Sequence, residues 1–81
     1  MVAGVEVRDL HPAAVKVVQS AVERGWTARN IACERGRTQA GVLLVSPTHP
    51  DVTLRIYPVR QWNHKKLRTV MNKVETYGRA S

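Results

Sequence analysis

Apolar residues recur at helical spacing near the start of the chain, where Val15, Val18 and Val22 are flanked by Ala14 and Ala21. Lys16, Gln19, Glu23 and Arg24 take the opposite, wet side of this predicted helix. Pro12 suits its first position, where a missing N–H costs nothing, and Gly25 suits a left-handed cap at its end. Valine is a poor helix former, because its branched Cβ is restricted against the preceding turn, so this helix depends on tertiary packing. Ahead of it, Val5-Glu6-Val7 reads equally as a short extra strand or as an unpaired lead-in.

The pattern then shifts toward extended chain. Trp26 to Glu34 is rich in strand-compatible residues but alternates imperfectly, which suggests a bulge. Gly36 and Gly41 bracket a polar stretch, Arg35-Gly36-Arg37-Thr38-Gln39, that reads as a hairpin tip. Val42 to Ser46 is a short buried strand, and Pro47-Thr48-His49-Pro50-Asp51 a turn. From Val52 the alternation is clean: Val52, Leu54 and Ile56 point inward, while Thr53, Arg55 and Tyr57 point out, and Pro58 ends the run.

A second helix follows. Asn63 is a good N-cap, Leu67, Val70, Met71 and Val74 form an i, i+3, i+4, i+7 stripe, and Gly78 stands where a C-terminal glycine belongs. Short connections imply an antiparallel meander, and each helix has one apolar face to cover. The expected fold is α+β in the order α-β-β-β-α: a three-stranded antiparallel sheet with two helices packed on one face. The 81 residues make one domain, 1–81, with its core at about 12–78.

Charge changes the picture. The net charge is +7, and it is uneven: residues 1–40 hold six basic and four acidic groups, residues 41–81 seven and two. Nine of the thirteen basic residues are Arg, whose planar fork suits phosphate, so an anionic partner is expected, nucleic acid first and an acidic protein second. Cys33 is the single cysteine, which excludes an intramolecular disulfide and a multi-Cys metal site. Its expected place is a gap in the core. The apolar run Val42–Val45 is far too short to span a bilayer, and the N-terminus lacks a charged start followed by an apolar stretch. A cytoplasmic location without membrane contact is the expectation.

Three segments, in this order and spacing, carry a resemblance. Glu23-Arg24-Gly25-Trp26 closes a helix with glycine and an aromatic. Tyr57-Pro58-Val59 runs a strand into a Pro-Val pair, and Leu67-Arg68-Thr69-Val70-Met71-Asn72-Lys73 forms the closing helix. Together they resemble the HicA family of toxin-like RNases, which share the architecture of the double-stranded-RNA-binding domain. The resemblance spans about residues 12–78 and implies RNA as ligand and an antitoxin-like protein as partner. It also implies a catalytic His at the start of the second strand. Here that stretch is Thr38-Gln39-Ala40-Gly41-Val42, which contains no proton-transfer group. RNA cleavage by general acid–base chemistry needs such a group within hydrogen-bond reach of the 2′-hydroxyl or the leaving oxygen.

The remaining chemistry is sparse. His11 precedes the first helix, His49 sits in the two-proline turn and His64 opens the last helix, so they form no metal-ligand spacing. Neither a Ser-His-Asp set nor a glycine-rich phosphate loop is present, so no catalytic residue, metal or cofactor is expected. The informative stretch is Arg60-Gln61-Trp62-Asn63-His64-Lys65-Lys66-Leu67-Arg68. A helix N-terminus carries partial positive charge, so cations there cost about 0.3–1 kcal/mol each. A bound anion reverses that conflict, since free N–H groups, dipole and ammonium groups then converge on it. The double-stranded-RNA-binding domain opens its last helix with a Lys-Lys-x-x-Lys-like motif, which Lys65-Lys66-Leu67-Arg68 resembles.

Arg35 and Arg37 at the hairpin tip add a second basic element, with Arg29 on the strand leading to it. Loop-to-helix patches of this kind straddle grooves in modules that read RNA by shape. Trp62 is a candidate for stacking on a base, or a wedge between helix and sheet. The expected nucleic-acid site is therefore Arg35, Arg37, Arg60, Trp62, His64, Lys65, Lys66 and Arg68. The first reading is a small non-catalytic nucleic-acid-binding protein, with RNA placed ahead of DNA. The alternative is a regulatory protein that binds a partner protein through Trp62, Tyr57 and a sheet edge. A third is an RNase built on His64 or His49. Monomer and dimer are both open.

Overall fold

The computed structural model describes residues 4–8, 10–32, 40–58 and 61–79. Cys33, Glu34, the hairpin tip with Arg35 and Arg37, Val59 and Arg60 lie outside the described residues. The elements are α1 (Pro12–Glu23), β1 (Thr27–Ala32), β2 (Ala40–Val45), β3 (Thr53–Ile56) and α2 (His64–Thr76). β2 lies between β1 and β3 and is antiparallel to both. This is the expected α-β-β-β-α order, with both helices on one face of the sheet.

α1 begins where Pro12 predicts, capped by His11, whose Nδ1 accepts from the Ala13 N–H at 3.1 Å. Its fully buried face is Ala14, Val17, Val18 and Ala21, while Val15 and Val22 are half-buried. The core stripe is thus rotated by one valine from the expected Val15-Val18-Val22. Gly25 adopts φ 89°, the left-handed conformation expected of it. Immediately after it, Trp26 is 3% exposed and its indole N–H donates to the Val74 carbonyl of α2 at 3.1 Å.

In the sheet, Val42 and Leu44 of β2 and Leu54 and Ile56 of β3 are buried beneath the helices, while Thr53, Arg55 and Tyr57 are exposed on the other side. β1 pairs with β2 without interruption from Thr27↔Val45 to Ala32↔Ala40, so these residues contain no bulge. Its broken alternation has a different cause. Asn30 is paired with Val42 and so occupies an inward-facing register position. Its side-chain amide accepts from the Glu6 N–H at 2.8 Å and donates to the Glu6 carbonyl at 2.9 Å and the Gly41 carbonyl at 3.1 Å. The lead-in is therefore held rather than loose: Val5 is buried in a single β-bridge, and Asn30 grips the next residue.

α2 is capped by Asn63, whose Oδ1 accepts from the Lys66 N–H at 2.7 Å. Val74 is its one fully buried side chain, with Leu67, Val70 and Met71 half-buried against the core. Asn63→Ala should lower stability by about 1 kcal/mol in urea unfolding, whereas Asn63→Asp should preserve it; equal losses in both would show that the cap is not what holds this end. Gly78 follows the helix, but its backbone is not left-handed. Glycine stands there for space: a Cβ would lie 2.5 Å from the Val74 carbonyl and 2.9 Å from the Arg24 Cβ.

Two further contacts fasten this end of α2. The Arg79 N–H donates to the Arg24 carbonyl at 2.7 Å. Ser46 Oγ and Thr48 Oγ1, from the β2–β3 turn, both donate to the Tyr77 carbonyl, at 2.6 and 2.9 Å. With α1 and α2 tied at their C-terminal ends, and Pro12 and Ala13 facing Leu67 across the groove between them, the two helices run in the same direction.

Candidate nucleic-acid interface

Parallel helices place both N-termini at one end of the molecule. On α2 this end presents His64, Lys65 and Lys66 as its first three residues and Arg68 in the next turn, all exposed. No acidic residue occupies the first turn. Among the described residues the single ion pair joins Arg8 to Glu6 at 3.6 Å, so none of these cations has a described carboxylate within salt-bridge reach. Asn63 satisfies the Lys66 N–H, and its backbone carbonyl accepts from Leu67. The dipole conflict expected from the sequence is therefore present and uncompensated by described carboxylates.

Trp62 sits just before the cap and is half-buried, packed against the core, as a wedge would be. Its indole N–H is buried with no hydrogen-bond partner among the described residues. The Lys66 ammonium lies 5.3 Å from the ring centroid, in cation–π range. Trp62 thus shapes the base of the cluster and holds one of its cations in place.

Of the expected site, the structure groups Trp62, His64, Lys65, Lys66 and Arg68 at one helix end, while Arg35, Arg37 and Arg60 lie outside the described residues. Arg29 and Arg55 stand apart. Both are opposite Leu43, on the helix-free face of the sheet, and both are exposed. A residue outside the expected set, Lys16 of α1, lies across the groove from Leu67 and brings a further cation toward the same end. Nothing in the sequence signals this, because only the packing of α1 beside α2 makes them neighbours.

The histidines are dispersed. His11 caps α1 and His64 opens α2, while His49 sits at the far end of α2, with its ring 5.1 Å from that of Tyr77 in an edge-to-face contact. Thr48 Oγ1 also lies 2.9 Å from His49 Nδ1, within hydrogen-bond distance. His49 and His64 are separated by roughly the 20 Å length of α2, too far for one to act as acid and the other as base on a single phosphodiester. No group of three or more His, Cys, Asp or Glu positioned for a metal exists among the described residues. No helix among them is long and apolar enough to cross a membrane.

No family model, curated protein or solved structure matches this chain.

Proposed function

We propose that this protein binds nucleic acid, with RNA ahead of DNA, through the N-terminal end of α2, and that it does so without cleaving it. The observation that carries this reading is the exposed set His64, Lys65, Lys66 and Arg68, on a helix end whose dipole opposes them and without described carboxylate partners. A phosphate at that end meets unpaired backbone N–H groups, two ammonium groups and a guanidinium together. RNA is preferred because of the resemblance to the HicA family and to the double-stranded-RNA-binding domain. Absence of cleavage follows from the lack of a proton-transfer group in Thr38–Val42 and from the separation of His49 and His64.

A salt titration tests it. If the six cations Arg35, Arg37, Arg60, Lys65, Lys66 and Arg68 each neutralise one phosphate, affinity for an RNA duplex of about 16 base pairs should fall with a log–log salt slope of about −4 to −6. Binding that is flat with salt, or absent at low salt, would remove the proposal. A second reading, recognition of a partner protein, is favoured by one observation: Tyr57, 40% exposed, extends the short edge strand β3. A stoichiometric complex that survives high salt would select it.

A further inference from the structure

α1 and α2 leave between them a groove of about 430 Å³, lined mainly by Ala13, Lys16, Val17 and Ser20 of α1 and by Leu67 and Met71 of α2. Its floor is apolar with Lys16 at its edge, and further charges recur along the exposed sides of both helices in an ordered way. On α1, Lys16 and Glu23 stand at i and i+7, on the same side of the helix, with Ser20 between them. On α2, Arg68 and Glu75 stand at i and i+7, with Met71 between them. All four charged residues are exposed, and none has an ion-pair partner among the described residues.

Because the helices are parallel, both cations lie toward one end of this face and both carboxylates toward the other, about 10 Å away. Such a face is its own electrostatic complement when turned end over end. We infer that it is the interface of a homodimer, in which a second copy packs face to face across a two-fold axis perpendicular to the helices. That operation lays α1 antiparallel on α1 and α2 antiparallel on α2. It brings Lys16 of each copy to Glu23 of the other, and Arg68 to Glu75.

The positions agree with one another. The midpoint of Lys16 and Glu23 falls between Gln19 and Ser20, and that of Arg68 and Glu75 falls between Met71 and Asn72. Ser20 and Met71 line the same groove, so a single axis passes both. Near that axis Ser20 is small enough for two α1 helices to approach. Met71, half-buried and flexible, can enter the groove of the other copy. The dimer engages Arg68 of the proposed nucleic-acid set, leaves Lys66 free, and carries the two α2 N-termini to opposite ends. The inference does not depend on nucleic-acid binding.

The test is sedimentation equilibrium of the full chain under reducing conditions, which excludes a Cys33 disulfide as the link. The wild type should show a concentration-dependent dimer. Lys16→Glu and Glu23→Lys should each weaken it about ten-fold, because each sets two pairs of like charges face to face. The double variant Lys16→Glu/Glu23→Lys should restore it, since the complementarity is only inverted. Ser20→Arg, placed at the axis, should abolish it while leaving the thermal transition of the monomer in place. A chain that is monomeric up to about 1 mM overturns the inference, including one whose groove then accepts a foreign helix. So does a dimer indifferent to the single charge reversals, or a double variant as weak as the singles.

Discussion

Lys65→Glu/Lys66→Glu is expected to weaken RNA binding about 100-fold while making the protein more stable. The binding loss follows from two charge-assisted contacts to phosphate, each contributing about 1.5 kcal/mol. The salt slope should become shallower by about 2. The gain in stability comes from the helix. Carboxylates in the first turn of α2 align with the dipole, and a Glu at position 66 sits three residues after Asn63, where it can return a bond to the Asn63 N–H. The thermal midpoint should therefore rise, which separates loss of binding from loss of fold. An unchanged affinity would show that this helix end is not the contact surface. A fall in the midpoint would contradict the electrostatic account of α2.

Trp26→Ala carries the largest expected cost to the fold, about 3–5 kcal/mol. The side chain is 3% exposed, packs in the central cluster and hydrogen-bonds the Val74 carbonyl, so it joins the end of α1 to the end of α2. In a domain of this size a loss of that order lowers the thermal midpoint by about 20 °C or more. Trp26→Phe keeps most of the ring volume but drops the N–H, and should cost about 1–2 kcal/mol. Calorimetry on the two variants checks both figures. A Trp26→Ala midpoint within a few degrees of wild type would mean that the helices are held together elsewhere.

Local periodicity foretold the parts of the fold that local periodicity controls. Strand β3 alternates cleanly, and its buried and exposed residues fall where that alternation puts them. The Leu67–Val74 stripe and the Asn63 cap are equally direct, because spacing and capping are short-range. The rotation of α1 was not readable: Val15, Val17, Val18 and Val22 spread apolar surface over a wide arc, and only the partners across the core choose Val17 over Val15. The imperfect alternation of Trp26 to Glu34 suggests a bulge, but at Asn30 its cause is a partner, the Glu6 backbone, 24 residues away. Gly78 was rightly placed for a different reason, crowding by Val74 and Arg24 rather than backbone handedness. At the candidate site the cations of α2 were legible from composition and polarity along one helix. Lys16, and the groove it borders, came only with the pairing of the two helices.

The Ser46 and Thr48 hydroxyls that hold the Tyr77 carbonyl have a consequence for how this surface can change. They anchor α2 at the pole opposite its cations, together with Trp26 and Arg79. The charged tip is thus the far end of a lever whose fulcrum is built from other residues. Substitutions at positions 64 and 65 can retune which ligand the tip prefers, or discard it, without disturbing the mounting. Scaffold and reader are in this sense separately editable.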